Sequence, residues 1–204
     1  MKNYFYLNGT KIELTEEQAR QITESFNIAP KMLLAEKAVG DNVKIGDYEF
    51  IVLKHNNGTT QLILKDLLGE VDVVFGENNN DYRKSNVRKI LCDFADKLSG
   101  IIGAENLIEH AVVLTSDDGL KDYGTTVERV SLLTAERYRE FVDVLDKERL
   151  DKWWWLATPH STSRHENANW VKVVSPSGGI NGNYYFNLFG VRPFCILNSD
   201  ISVS

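Results

Sequence analysis

The chain has 204 residues, 43% of them hydrophobic and 25% charged, and carries a formal net charge of −6. That length suits one medium domain with a small appendage, because a domain of about 150 residues already buries roughly 70% of its unfolded surface and needs no staple. The negative balance gives no bulk attraction to phosphate backbones, so generic nucleic-acid binding is disfavoured, and no stretch is long and apolar enough for a membrane-spanning helix.

In chain order, the opening run MKNYFYLNGTKIELTEEQ is broken by Asn8, Lys11 and Glu13, so a secretory leader is not expected and a cytoplasmic location is. Two alternating runs, Tyr4 to Leu7 and Lys11 to Leu14, flank Asn8-Gly9, a pair that tolerates the positive φ of a tight turn, and predict a hairpin. A helix follows over Glu16 to Phe26, with Thr15 and Gln18 as a capping box and Ala19, Ile22 and Phe26 as its apolar stripe. Pro30 and the Gly40-Asp41 break place a domain boundary near residue 38. Strand-like runs at Tyr48 to Leu53 and Thr60 to Leu64 then form a second hairpin about Asn56-Asn57-Gly58.

Gly76 to Tyr82 is polar and is expected to loop outward before a helix capped by Ser85, with Val87, Leu91, Phe94 and Ala95 facing inward. Further strands are expected at Ala111 to Leu114 and Val127 to Leu133, around a solvated turn at Asp117-Asp118-Gly119. Thr134 caps a second helix whose buried face is Tyr138, Phe141, Val142 and Leu145. From Lys152 on, aromatic strands alternate with Gly, Asn, Ser and Pro, which predicts a loop-rich sheet. Cys92 and Cys195 sit in apolar segments and are expected as two reduced thiols.

Four segments carry a recognisable pattern: Trp153-Trp154-Trp155-Leu156-Ala157-Thr158-Pro159, Asn169-Trp170-Val171, Ser177-Gly178-Gly179-Ile180-Asn181 and Gly190-Val191-Arg192-Pro193-Phe194. They resemble an uncharacterised bacterial and phage domain family ending in a WWLRSP…GVRP pattern, and Gly46 to Leu53 looks like its opening strand, so the resemblance covers roughly residues 39 to 198. In this pattern that family is similar to C-type-lectin-like domains, among them variable proteins of diversity-generating retroelements and the formylglycine-generating enzyme fold. The resemblance implies an α+β architecture: a C-type-lectin-like domain at 39–204 with two helices, a mixed, mostly antiparallel sheet, neighbouring termini and a loop-rich ligand face. A β-hairpin and helix appendage at 1–38 precedes it. Ala157-Thr158 replaces the Arg-Ser common in that pattern, so no arginine role carries over there.

Adjacent strand residues point to opposite faces, so Trp154 should oppose Trp153 and Trp155, with core anchoring favoured over a stacking platform. Arg192 before Pro193 is expected to tie carbonyls or a buried carboxylate between loops rather than bind ligand. The foremost ligand-face candidate is Asn181 to Phe189, where rigid tyrosines alternate with adaptable amides, notably Asn181, Asn183, Tyr184, Tyr185 and Asn187; the competing reading is a hairpin whose rings cover the core. A second candidate is the polar run from His160 to Asn167, with Arg164 and His165.

His160, His165 and Glu166 match no zinc spacing, no calcium or sugar motif is legible, and no nucleophile with its base can be read from spacing, so neither metal, cofactor nor catalysis is expected. The cysteine pair of the formylglycine-generating relatives has one counterpart in the C-terminal part, Cys195. The expectation is a non-catalytic recognition module for a protein or glycan. Two alternatives stand beside it: a phage or mobile-element inhibitor of a host defence protein docking through residues 1–38, and, with the least support, an enzyme using His160 or His165.

Overall fold

The computed structural model describes residues 3–7, 10–25, 32–165 and 168–204. Strands β1 (Asn3–Leu7) and β2 (Thr10–Leu14) pair antiparallel, as expected of a hairpin, and helix α1 (Glu16–Ser25) follows. Its start is the reciprocal capping box read from the sequence: Gln18 N donates to Thr15 Oγ1 at 3.2 Å and Thr15 N to Gln18 Oε1 at 3.0 Å. Asn8, Gly9 and Phe26 lie outside the described residues.

Residues assigned from sequence to the appendage are joined to the larger unit. Strand β3 (Met32–Leu33) pairs with a short strand at Ser202–Val203, and Leu34 is fully buried, its N–H donating to Ile201 O at 2.9 Å. Next come β4 (Asn42–Ile45), β5 (Tyr48–Asn56) and β6 (Thr59–Leu64), joined as antiparallel neighbours. The turn between β5 and β6 uses positive φ at Asn57 (43°) and Gly58 (81°), which explains that dipeptide. Phe50 and Val52 enter one apolar cluster and Ile51 and Leu53 a second, so β5 is buried on both faces and reads as an unbroken hydrophobic run.

One face is covered by α2 (Asn86–Ile102), which follows the short β7 (Val73–Val74). Ser85 Oγ caps α2 by accepting from Arg88 N at 3.0 Å, and Val87, Leu91, Phe94, Ala95 and Leu98 are buried. After β8 (Leu107–Ile108), β9 (His110–Val113), β10 (Thr125–Glu128) and β11 (Val130–Ser131), the predicted second helix is two: α3 (Ala135–Glu140) and α4 (Val142–Leu145). They break at Phe141 (φ −106°, ψ 11°), which keeps Tyr138, Phe141 and Leu145 buried but turns Val142 outward at 39% exposure. Val142 therefore does not belong to the buried face, because the expected stripe assumed an unbroken period of 3.6.

The last third supplies β12 (Trp154–Pro159), β13 (Trp170–Val174), β14 (Ile180–Tyr184), β15 (Leu188–Phe189), β16 (Phe194–Asn198) and β17 (Ser202–Val203). Strand β16 returns to the first sheet, pairing with β6 on one side and with β11 and β8 on the other, while β12, β13 and β14 form a separate antiparallel sheet. The architecture is mixed α+β, with four α-helices among the described residues and mostly antiparallel pairing; a single parallel bridge joins Trp154 to Gly190. Among the described residues no helix is long and apolar enough to cross a membrane.

The tryptophans alternate as strand geometry demands. Trp154, at 2% exposure, lies in the cluster of Ile51 and Leu53, whereas the fully buried Trp155 lies in that of Phe50 and donates Nε1–H to Val73 O at 2.9 Å; Trp153 packs on the Trp155 side. Arg192, 1% exposed, donates to the carbonyls of Leu64 (2.9 Å) and Lys65 (2.8 Å), with its guanidinium 5.4 Å from the Trp154 ring centre. It ties loops together through carbonyls, the role expected of a buried five-donor fork. Both cysteines are free, and burial pushes the Cys195 thiol pKa well above its ordinary value.

Candidate functional site

The β12–β13–β14 sheet changes character along one of its faces. Val171 and Val173 point into the first core, so Trp170, Lys172 and Val174 point the other way. At Val174, paired with Ile180, that opposite face belongs to the second core; at Trp170, paired with Tyr184, it reaches the surface. Gly182, opposite Lys172, makes the transition possible. A Cβ there would lie 2.9 Å from Trp170 Cε3, so the indole can lie across the strand because glycine leaves the space.

The result is a row of rings: His160 and Trp170 centred 6.0 Å apart, Trp170 and Tyr184 5.0 Å, and Tyr184 and Phe186 stacked at 5.0 Å with planes 14° apart. Tyr184 is 40% exposed, Phe186 54% and the nearby Leu188 60%. Large apolar side chains held this open to water on a sheet are the features that mark contact surfaces.

The other residues singled out from the 181–189 segment are distributed by strand alternation. Tyr185 is half-buried against the first core, its N–H bound to Asn169 O (2.9 Å) and its carbonyl accepting from Phe75 N (2.9 Å). Asn183 Oδ1 accepts from Asn187 Nδ2 and from Tyr184 N, so these amides brace the turn carrying the rings. Asn181 is exposed and donates to Gly179 O at 3.1 Å.

The 160s segment is pinned by two aspartates, Asp118 and Asp122. Ser161 and Thr162, 2% and 0% exposed, donate to Asp118 Oδ2 and Asp122 Oδ2, each at 2.6 Å. Arg164 pairs with Asp122, and His165 Nδ1 lies 2.8 Å from Asp118 Oδ2. Lys172 Nζ donates to Asp117 Oδ2 at 3.0 Å, Arg139 lies 3.6 Å from the same carboxylate, and His160 Nδ1 sits 3.9 Å away without a hydrogen bond. Hydroxyl donors from Ser116 and then Ser161, with His165, hold the Asp118 carboxyl well below the usual carboxylate range. The 117–119 turn is exposed, as expected, and its Asp118 carboxylate also satisfies donors of a segment more than forty residues on.

The expected outward loop at residues 76–82 also turns in. Asn80, fully buried, donates to Ser161 O and Trp170 O, both at 2.8 Å, and accepts from Tyr123 OH at 2.8 Å. An amide using both its donors and its acceptor offsets the desolvation cost of burial, which composition alone does not reveal. Glu166 and Asn167 lie outside the described residues. Among the described residues no three His, Cys, Asp or Glu side chains are grouped as a metal site requires.

Tyr184, His160, Arg164 and His165 are marked for the ligand face by the sequence, whereas Trp170 and Phe186 are not singled out as site residues, Asp118 reads only as part of a solvated turn, and Asp122 carries no signal. A donor-rich run, Ser161 to His165, with no carboxylate within it was the available signal that carboxylates had to come from elsewhere. A domain of unknown function, DUF6273, spans residues 108–199, which carry the whole aromatic row and its aspartate braces. No curated protein and no solved structure gives a significant match to the chain.

Proposed function

We propose that the chain is a non-catalytic recognition module with a C-type-lectin-like arrangement, which holds a protein or glycan against the face built by His160, Trp170, Tyr184 and Phe186. The observation that carries this reading is the exposed aromatic row on a sheet whose other face is core. Rings fixed in this way lose little entropy when a partner stacks on them, and aromatic anchors of this kind dominate interface energetics. The aspartate and amide braces fit the same purpose, because they fix the loops without occupying the ring faces.

The lectin-like assignment draws support from the two helical layers, the mostly antiparallel sheet, and the edge strand β4 beside the C-terminus, where Lys44 N donates to Ser204 O at 2.7 Å. The row lies on an open surface, and two clefts, of about 480 and 400 Å³, are lined by β4 and the C-terminal residues instead. A flat apolar face suits a partner's surface or the faces of sugar rings better than an enclosed small molecule. Ser161, His165 and Lys172 are engaged with Asp118 and Asp117, which favours binding over general acid or base work by these groups.

The test is a Tyr184→Ala/Phe186→Ala double variant compared with wild type in capture from cell lysate and on a glycan array. Both rings are exposed, so the fold should survive, while retention on the captured protein or glycan should fall at least about a hundredfold, as for two interface anchors. Undiminished capture by the folded double variant would refute the assignment of this face.

A further inference from the structure

Outside this face, the most concentrated positive charge in the protein is the sequence Arg83-Lys84-Ser85-Asn86-Val87-Arg88-Lys89, four cations in seven residues of a chain whose net charge is −6. Five of these residues, Arg83, Lys84, Ser85, Arg88 and Lys89, together with Cys92 and Asp93, line an open cleft of about 270 Å³. We propose that this cleft binds a phosphoryl group, as free phosphate or as the head of a small phosphomonoester.

Two buried carboxylates organise the arginines. Asp81, whose side chain is 4% exposed, accepts from Arg83 Nε at 2.9 Å and Nη2 at 2.7 Å, and Arg83 also lies 5.6 Å from the Tyr123 ring centre. Glu128, also 4% exposed, accepts from Arg88 Nε at 2.6 Å. Each guanidinium is thereby held by one edge and keeps further N–H donors for a ligand, a prepared geometry that suits tetrahedral oxyanions. Lys84 and Lys89 are exposed, and among the described residues neither makes an ion pair. Four cations stand against Asp81, Glu128 and Asp93, and two of those three anions are already committed to the arginines.

The backbone does not supply the site. The N–H groups of Asn86 and Val87 go to Phe75 O, and that of Arg88 goes to Ser85 Oγ, so recognition falls to the side chains. The cleft has room for a phosphate with a short organic tail, and its cations occupy a confined patch too small to track a nucleic-acid backbone.

Cys92 provides a reporter because it is partly accessible in the cleft, whereas Cys195 is fully buried. Maleimide labelling of Cys92 should be slowed saturably by inorganic phosphate and not by chloride at the same ionic strength. Protection should weaken about tenfold for each lysine removed in Lys84→Gln and Lys89→Gln, and stay unchanged in Lys97→Gln, an exposed lysine farther along α2. Amide shifts on titration should cluster at residues 82–93. Tighter protection by glycerol phosphate than by inorganic phosphate assigns the monoester, and the reverse order assigns the free ion. The proposal is overturned if neither compound protects, if chloride protects equally, if the double variant Lys84→Gln/Lys89→Gln is protected as well as wild type, or if the shifts scatter over the surface.

Discussion

Acidification should weaken the fold through His110. The ring is 7% exposed, its Nε2 lies 2.8 Å from Ser131 Oγ, and it meets Phe194 edge-on with centres 5.2 Å apart. Burial, and secondarily the charge on Arg137, lowers its pKa to about 4 from the ordinary 6.5. A histidine kept neutral by the fold contributes stability that is fully present above pH 6.5, where the unfolded chain is neutral too. Between pH 6.5 and 4 the unfolded chain takes up a proton that the folded chain refuses, and the contribution is lost. The separation of about 2.5 units corresponds to about 3 kcal/mol, arriving at about 1.4 kcal/mol per pH unit within the window. Urea unfolding at a series of pH values should show this slope in the wild type, and its removal in His110→Gln, which keeps a polar group near Ser131 but does not titrate. Direct observation of the His110 ring by NMR should find it neutral at pH 5. A native His110 that titrates near 6.5, or a variant that keeps the full wild-type slope, would show that burial of this ring does not set the acid sensitivity.

Arg192→Met should cost about 3 kcal/mol in urea unfolding, since it strands the buried Leu64 and Lys65 carbonyls; Arg192→Lys should recover only part of this, because an ammonium cannot span both as the planar fork does. The relief of burying a guanidinium, whose pKa burial brings down to about 10, offsets some of that cost, so a change within 0.5 kcal/mol, the range of ordinary surface substitutions, would count against a structural role for Arg192. Asp118→Asn should raise amide hydrogen exchange at residues 161–165 roughly tenfold while leaving the core protected, because Ser161 and His165 both bind the lost carboxylate; unchanged exchange there would mean the aspartate does not hold the segment.

Much of the local structure was legible because its causes are local. The caps at Thr15, Ser85 and Thr134, the positive-φ turn at Asn57-Gly58 and the opposed faces of Trp154 and Trp155 each follow from the chemistry of a few adjacent residues. The break at Phe141 was not legible, since apolar spacing continues through Val142 and only packing shows that this side chain turns outward. Within the 181–189 segment the mixture of rings and amides marked a contact surface, yet which rings face water depended on the β13–β14 register, a pairing that puts Tyr184 beside Trp170 and sends Tyr185 to the core.

Reduced thiols, core-anchoring tryptophans on opposite faces and an Arg192 that ties loops through carbonyls or a carboxylate are legible in the residues, because burial preference and strand alternation act residue by residue, whereas the α+β class followed from the resemblance. Folding in three dimensions sets the rest: Asp118 and Asp122 meet the donors of the 160s segment, Asn80 closes beneath it, and Gly182 makes room for Trp170. The reason is physical: a carboxylate in a glycine turn is equally at home in water or against a buried hydroxyl, and the choice rests on which distant donors folding would otherwise leave unpaired.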